Sequence, residues 1–234
     1  MSKFQLFASG TREPSIVAFA KGTTRAAKLS VGIATITCIG LLNAAYPAAA
    51  HHALGNKIPT NFFEGFISGL AHPIIGLDHF AFVVAIGLLC IGQTRAFVIP
   101  AAFVLAAMAG TGIHLLRFDL PATEFVISAS VIVLGAMLLV SKTQNWMKLA
   151  GLGAVAGLFH GYAYGESIVG AQMTPLIAYL AGFSLIQYGV AMSACLSGKV
   201  VSQKFPNQFL KMRRLAGIAI CSIGIVFMAS SLAG

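Results

Sequence analysis

The chain has 234 residues, of which 58% are hydrophobic and only 9% charged, and its mean hydropathy is +0.88. A water-soluble domain carries roughly 25% charged residues, so soluble secreted, disordered and nucleic-acid-binding classes are set aside and most of the surface must meet lipid. The net charge of +9 does not restore them, because the Lys and Arg residues stand mostly in short loops beside apolar runs, the pattern that orients a chain in a membrane.

The first fifty residues read as a targeting segment. Lys3, Arg12, Lys21, Arg25 and Lys28 face a single acid, Glu13, and precede the uncharged stretch Leu29–Leu42. That stretch is short of the ~20 residues a span needs. Ala48-Ala49-Ala50 fits a small-residue cleavage site, so residues 1–50 are expected to be a cleaved secretory signal peptide and 51–234 a single transmembrane domain. His51-His52 would then open the mature chain as an exposed pair.

Six spanning helices follow, expected near residues 62–92, 96–116, 122–141, 147–166, 172–197 and 211–232. The first is too long for one straight span. Its His72-Pro73 step predicts a short outer segment, a break near His72 and then a proper helix from about Ile75, because proline disfavours the helical region for the residue before it and lacks a backbone donor. The longest loop is expected at Gly198 to Asn207. With residue 51 outside, the loops expected inside hold Arg95, Lys142, Lys148, Lys199, Lys204, Lys211, Arg213 and Arg214, while the exterior holds only Lys57 and Arg117. This asymmetry predicts a cytoplasmic (inner) membrane protein with both mature termini outside. Cys38, Cys90, Cys195 and Cys221 all sit in apolar runs, far apart in sequence, and read as small apolar residues rather than a disulfide framework.

Two segments resemble each other. Gly69-Leu70-Ala71-His72 returns as Gly157-Leu158-Phe159-His160, and six residues after each His stands a carboxylate, Asp78 and then Glu166. The copies lie three spans apart, on the first and the fourth, so they would run in opposite directions, the arrangement of a 3+3 inverted repeat with a binding site at the junction of its halves.

Only six acids and six histidines occur in the chain. An ionisable group inside the bilayer costs about 2.5–3.5 kcal/mol on insertion scales and usually faces the bundle interior or a hydrated path. His72, Asp78 and His79 belong to the first span, His114 ends the second, Glu124 opens the third, and His160 and Glu166 belong to the fourth. In the predicted topology all seven fall in the outer half of the membrane. They are the candidate metal ligands. Nitrogen and oxygen donors without a thiol cluster suit Ni²⁺, Co²⁺, Zn²⁺ or Mn²⁺.

His72-Pro73-Ile74-Ile75-Gly76-Leu77-Asp78-His79 resembles the H-P-x-x-G-x-D-H signature of the HupE/UreJ family. Phe159-His160-Gly161-Tyr162-Ala163-Tyr164-Gly165-Glu166 resembles its second signature, F-H-G-x-A-H-G-x-E, with two departures. Tyr164 stands where the family has His, and Ser167 stands where the family acid falls, so that Glu166 is one place early. Pro121 with Glu124, then Ser130-Val131 and Gly135, is similar to the family's third-helix pattern. The resemblance implies a membrane permease for nickel, with cobalt a related cargo, and carries a ligand role to His72, Asp78, His79, Glu124 and His160, and to Glu166 by the one-place shift. No prosthetic group is expected, and the expected partners are the lipid bilayer, the divalent cation, and a homo-oligomer or membrane complex. A non-transporting accessory protein of metalloenzyme assembly is the alternative, and an intramembrane metal-dependent hydrolase with Ser167 as nucleophile a more distant one. An enzyme is not expected, since neither H-E-x-x-H nor G-x-S-x-G occurs.

Overall fold

The structure is a computed structural model that describes residues 57–140 and 144–233. The expected signal peptide, the His51-His52 pair and Lys142 lie outside the described residues. Among the described residues the regular structure is entirely helical: α1 (Phe62–Ile75), α2 (Leu77–Leu89), α3 (Val98–Leu115), α4 (Thr123–Leu139), α5 (Trp146–Gly165), a 3₁₀ turn (Glu166–Ile168), α6 (Met173–Lys204) and α7 (Pro206–Ala233).

Local chemistry fixes the ends. Asn61 caps α1 by accepting from the Glu64 N–H at 3.0 Å, and the Glu64 carboxylate reaches back to accept from the Thr60 N–H at 2.8 Å, a reciprocal arrangement that satisfies donors left over at a helix start. Asn145 caps α5 in the same way through the Met147 N–H. At the other end of the chain the expected Gly198–Asn207 loop is absent. α6 continues to Lys204, and only Phe205, with an extended φ of −139°, separates it from α7. Lys199 and Lys204 tolerate a helix and favour its C-terminus. The stop is made by Pro206, which bars its predecessor from the helical region and itself suits the first position of α7.

The first span breaks as expected, a few residues beyond the His72-Pro73 step. Pro73 sits inside α1, and the helix ends three residues later at Gly76, where ψ is 99°. The Gly76 N–H still bonds to the His72 carbonyl, and α2 then departs at 79° to α1. Proline costs one intrahelical bond without stopping the turn in progress; the redirection occurs at Gly76.

By length and composition, α3, α6 and α7 can each cross a membrane, and the bent pair α1 and α2 together makes a fourth candidate. α4, with 17 residues, is apolar but shorter. α6, at 32 residues, is about 48 Å long and exceeds the ~30 Å of a hydrocarbon core. Large apolar side chains such as Phe63, Leu105, Leu185 and Ile225 are exposed on the outside, which suits a surface solvated by lipid tails.

α2 is the central helix. It is buried on nearly every side and touches α4, α6 and α7, with Phe82 and Ile86 packed among Ile99, Phe103, Leu134 and Leu149. Around it the most extensive pairings are α3 on α5, α1 on α6 and α4 on α7. Each depends on glycines that let backbones touch. In the α1–α6 pair, Gly65 lies on the Pro175 carbonyl and Gly69 on that of Tyr179, while Gly182 faces the Phe66 carbonyl and the Leu70 N–H. In the α3–α5 pair, Gly157 lies on the Phe103 carbonyl and Gly161 on that of Ala107, while Gly110 faces the Leu158 carbonyl and the Tyr162 N–H. One constant shift takes the α1 residues onto those of α5, and another takes the α6 residues onto those of α3. The α4–α7 pair repeats the pattern within itself: Gly135 meets the Gly217 carbonyl and Cys221 N–H, and Gly224 meets the Ser128 carbonyl and Ile132 N–H.

Candidate metal-binding site

The helix break sets the site. Asp78 and His79 occupy the first turn of α2, immediately after Gly76, and both are buried. Gly76 is required here by crowding rather than by its backbone angles. A Cβ on it would stand 2.6 Å from Cδ2 of the His79 ring. Gly76→Ala is therefore expected to push the His79 ring out of place and to weaken metal binding about tenfold or more, with little change in helix content. Isothermal titration of the purified protein with nickel chloride beside circular dichroism checks both halves of this expectation.

The His79 ring is held from α5. Its Nδ1 lies 2.8 Å from Nδ1 of His160, a fully buried residue. The second nitrogen of His160, Nε2, lies 3.0 Å from the Ser130 hydroxyl on α4. Phe82 and Phe103 close on the same ring, with centroids 4.4 and 5.9 Å away. Both nitrogens of His160 thus face protein groups.

His72, one helix earlier, is also buried. Its Nδ1 lies 2.7 Å from the Ser167 hydroxyl, which in turn stands 3.2 Å from the Tyr179 hydroxyl. The Tyr164 ring fills the space between the two α1–α2 histidines, 5.1 Å from the His72 centroid and 4.6 Å from that of His79. Its hydroxyl donates to Gln187 Oε1 at 3.3 Å. Under the shift that relates α1 to α5 by their glycine contacts, Tyr164 is the counterpart of His72, and the two rings meet edge to face at 79°.

The carboxylates gather at the same end of the bundle. Glu124, in the first turn of α4, is within electrostatic reach of both Asp78 and Glu166. Glu124 and Glu166 are exposed, whereas Asp78 is buried. His114, in the last turn of α3, is half-buried and meets Tyr162 edge to face with centroids 4.4 Å apart, its ring also crowding Gly165. Its Nδ1 is buried without a hydrogen-bond partner.

The seven candidate residues thus divide into a buried group, His72, Asp78, His79 and His160, and a set at the helix ends, Glu124, Glu166 and His114. Among the described residues no three His, Cys, Asp or Glu side chains stand close enough to grip one metal ion as placed. Cys90, Cys195 and Cys221 are free thiols and none joins the group, while Cys38 lies outside the described residues. Sequence reasoning missed Tyr179 and Gln187, and noted Ser130 and Tyr164 only as a likeness to and a departure from the family signatures, not as hydrogen-bonding and packing partners of the histidines. A buried Gln187 and a Ser130 in otherwise apolar helices carried a signal of the same kind as the histidines, though weaker because Ser and Gln are cheaper to bury than charge.

The HupE / UreJ protein family matches residues 39–227 of this chain. Protein HupE of Rhizobium leguminosarum bv. viciae is 26% identical over 186 residues, covering 79% of this chain and 92% of that protein. No solved structure gives a significant match. The family match covers the described bundle as far as residue 227, signature residues included, and on that ground the chain belongs to the HupE/UreJ family.

Proposed function

We propose that this protein is a secondary permease for a divalent transition-metal cation, nickel foremost and cobalt or zinc next. The observation that carries the reading is the burial of His72, Asp78 and His79 beside the break of the central helix, in a bundle whose outside is apolar. Imidazole and carboxylate in such surroundings are costly, and where they occur they commonly line an ion path. Asp78 within reach of the exposed Glu124 links that interior to the bundle end. Membership in a family related to nickel and cobalt transport supports the same conclusion.

In this reading the cation is drawn in by Glu124 and Glu166, with His114 beside them, and passes to Asp78, His79 and His72. The ligands close around it only on binding, which suits a cargo that must also leave. The bundle is six spans in the inner membrane, with the carboxylate end facing the exterior and residues 1–50 removed. The matched glycine contacts of α1–α6 and α3–α5, and the self-matching α4–α7 pair, support a 3+3 inverted repeat. Their register pairs Gly69 with Gly161, one turn away from the Gly69–Gly157 likeness in the sequence. Rocking of the halves about that pseudo-axis would expose the central histidines alternately.

The test is flux into liposomes. Purified protein is reconstituted around a metal-sensitive dye and challenged in turn with Ni²⁺, Co²⁺, Zn²⁺ and Mn²⁺. Nickel entry well above that of empty liposomes is expected. Absence of flux for all four would favour the accessory-protein alternative.

A second reading has one observation in its favour. The 2.7 Å contact of Ser167 with His72 resembles a nucleophile beside its base. Ser167 is buried, however, and its hydroxyl also has the Tyr164 carbonyl 3.1 Å away. Labelling by a serine-reactive probe that disappears in Ser167→Ala would promote the hydrolase.

A further inference from the structure

We propose that His160 is a positioning residue rather than a ligand, and that a three-step hydrogen-bond chain through Ser130 sets the tautomer of His79. The metal role of that tautomer rests on the permease reading; the tautomer itself does not.

The argument runs from the end of the chain that has no freedom. The Ser130 hydroxyl lies 2.6 Å from the Ile127 carbonyl oxygen. Two oxygens at that separation need a proton between them, and a carbonyl has none to give, so Ser130 donates to Ile127. A hydroxyl has a single proton. Towards His160 Nε2, at 3.0 Å, Ser130 can therefore only accept, and Nε2 carries hydrogen. His160 is fully buried among Phe82 and Phe103, with no carboxylate bonded to either ring nitrogen among the described residues, and a charge there would be costly to hold, so the ring is neutral. A neutral ring protonated at Nε2 has its lone pair on Nδ1. That lone pair faces His79 Nδ1 at 2.8 Å, so His79 donates from Nδ1. The neutral His79 ring is then left with its basic lone pair on Nε2, the form in which an imidazole binds a metal while its other N–H is held by the protein.

This order also assigns His160 no metal. Its one lone pair accepts from His79, and its one N–H donates to Ser130. The chain runs from α2 through α5 to α4, so it ties the ring next to the helix break to two neighbouring helices.

The experiment is nitrogen-15 magnetic resonance of the full chain, labelled at histidine and held in lipid, at mildly alkaline pH without metal. The His79 and His160 signals are assigned from His79→Asn and His160→Asn. His79 is expected to be protonated at Nδ1 and His160 at Nε2; His79 protonated at Nε2 overturns the proposal. In Ser130→Ala both rings should become tautomer mixtures, and unchanged populations would count against the chain. Nickel titration gives the functional half. His160→Asn keeps an acceptor for the His79 N–H and should bind within a few-fold of wild type, whereas His160→Leu should bind ten- to a hundredfold more weakly. Equal losses in the two, with both proteins folded, make His160 a ligand and end the positioning role. Absence of liposome flux with the expected tautomers would remove the permease and leave the hydrogen-bond order standing.

Discussion

His79→Ala is expected to lower cellular accumulation of radiolabelled nickel to background, at least tenfold below wild type, with the protein still present in the membrane. Two losses coincide in this variant. The ring that meets Tyr164, His160 and the Gly76 backbone disappears, and with it the lone pair on Nε2 that would receive the cation. His160 Nδ1 also loses its partner, which costs about 1–3 kcal/mol in a buried setting. The second loss is structural and would affect any variant that empties the position. His79→Asn separates them, since the Asn amide can still donate to His160 but offers no imidazole nitrogen. Uptake should fail in both variants, while thermal stability should fall mainly in the Ala variant. Uptake at the wild-type level in both, against matched amounts of membrane-inserted protein, would remove His79 from the cargo path.

The parts of the fold legible in the sequence were those written in composition and periodicity. Apolar runs located the helices of the described residues, and the rarity of His, Asp and Glu marked the buried group around α2. What escaped was decided by contacts between distant segments. The His72-Pro73 step marked the break to within a few residues, yet the turn itself falls at Gly76, where the following helix sends the His79 ring over a missing Cβ. The basic stretch after Gly198 looked like a loop because charge follows water, but Lys is compatible with a helix and only Phe205-Pro206 interrupts it. His160 stood out in the sequence only as a histidine in an apolar helix. Only its two neighbours, His79 and Ser130, reveal that both nitrogens are engaged. The Gly-Leu-x-His likeness pairs segments by residue type, whereas the glycine contacts correspond one turn away, by where the backbones touch.

That last distinction yields a second large effect, in stability rather than transport. Gly161→Ala and Gly69→Ala are each expected to destabilise the protein by about 2–3 kcal/mol, read as a lowered midpoint in denaturation from mixed micelles. A Cβ at Gly161 would run into the Ala107 backbone, and one at Gly69 into the Tyr179 carbonyl, well inside van der Waals contact. Backbone atoms of a packed helix cannot swing aside as a side chain can, so the helices must separate and surrender contacts along their length. Helix propensity acts in the opposite direction, favouring Ala over Gly by about 1 kcal/mol. The controls isolate that smaller effect. Gly151 and Gly189, on the same two helix pairs, have nothing within 4 Å of the added methyl, and their Ala variants should be neutral or more stable by up to about 1 kcal/mol. Opposite signs within one helix, Gly151 against Gly161 on α5, cannot come from propensity and must come from packing. If Gly69 and Gly161 instead behave like the controls, α1–α6 and α3–α5 do not approach through these glycines, and the correspondence of His72 with Tyr164 falls with them.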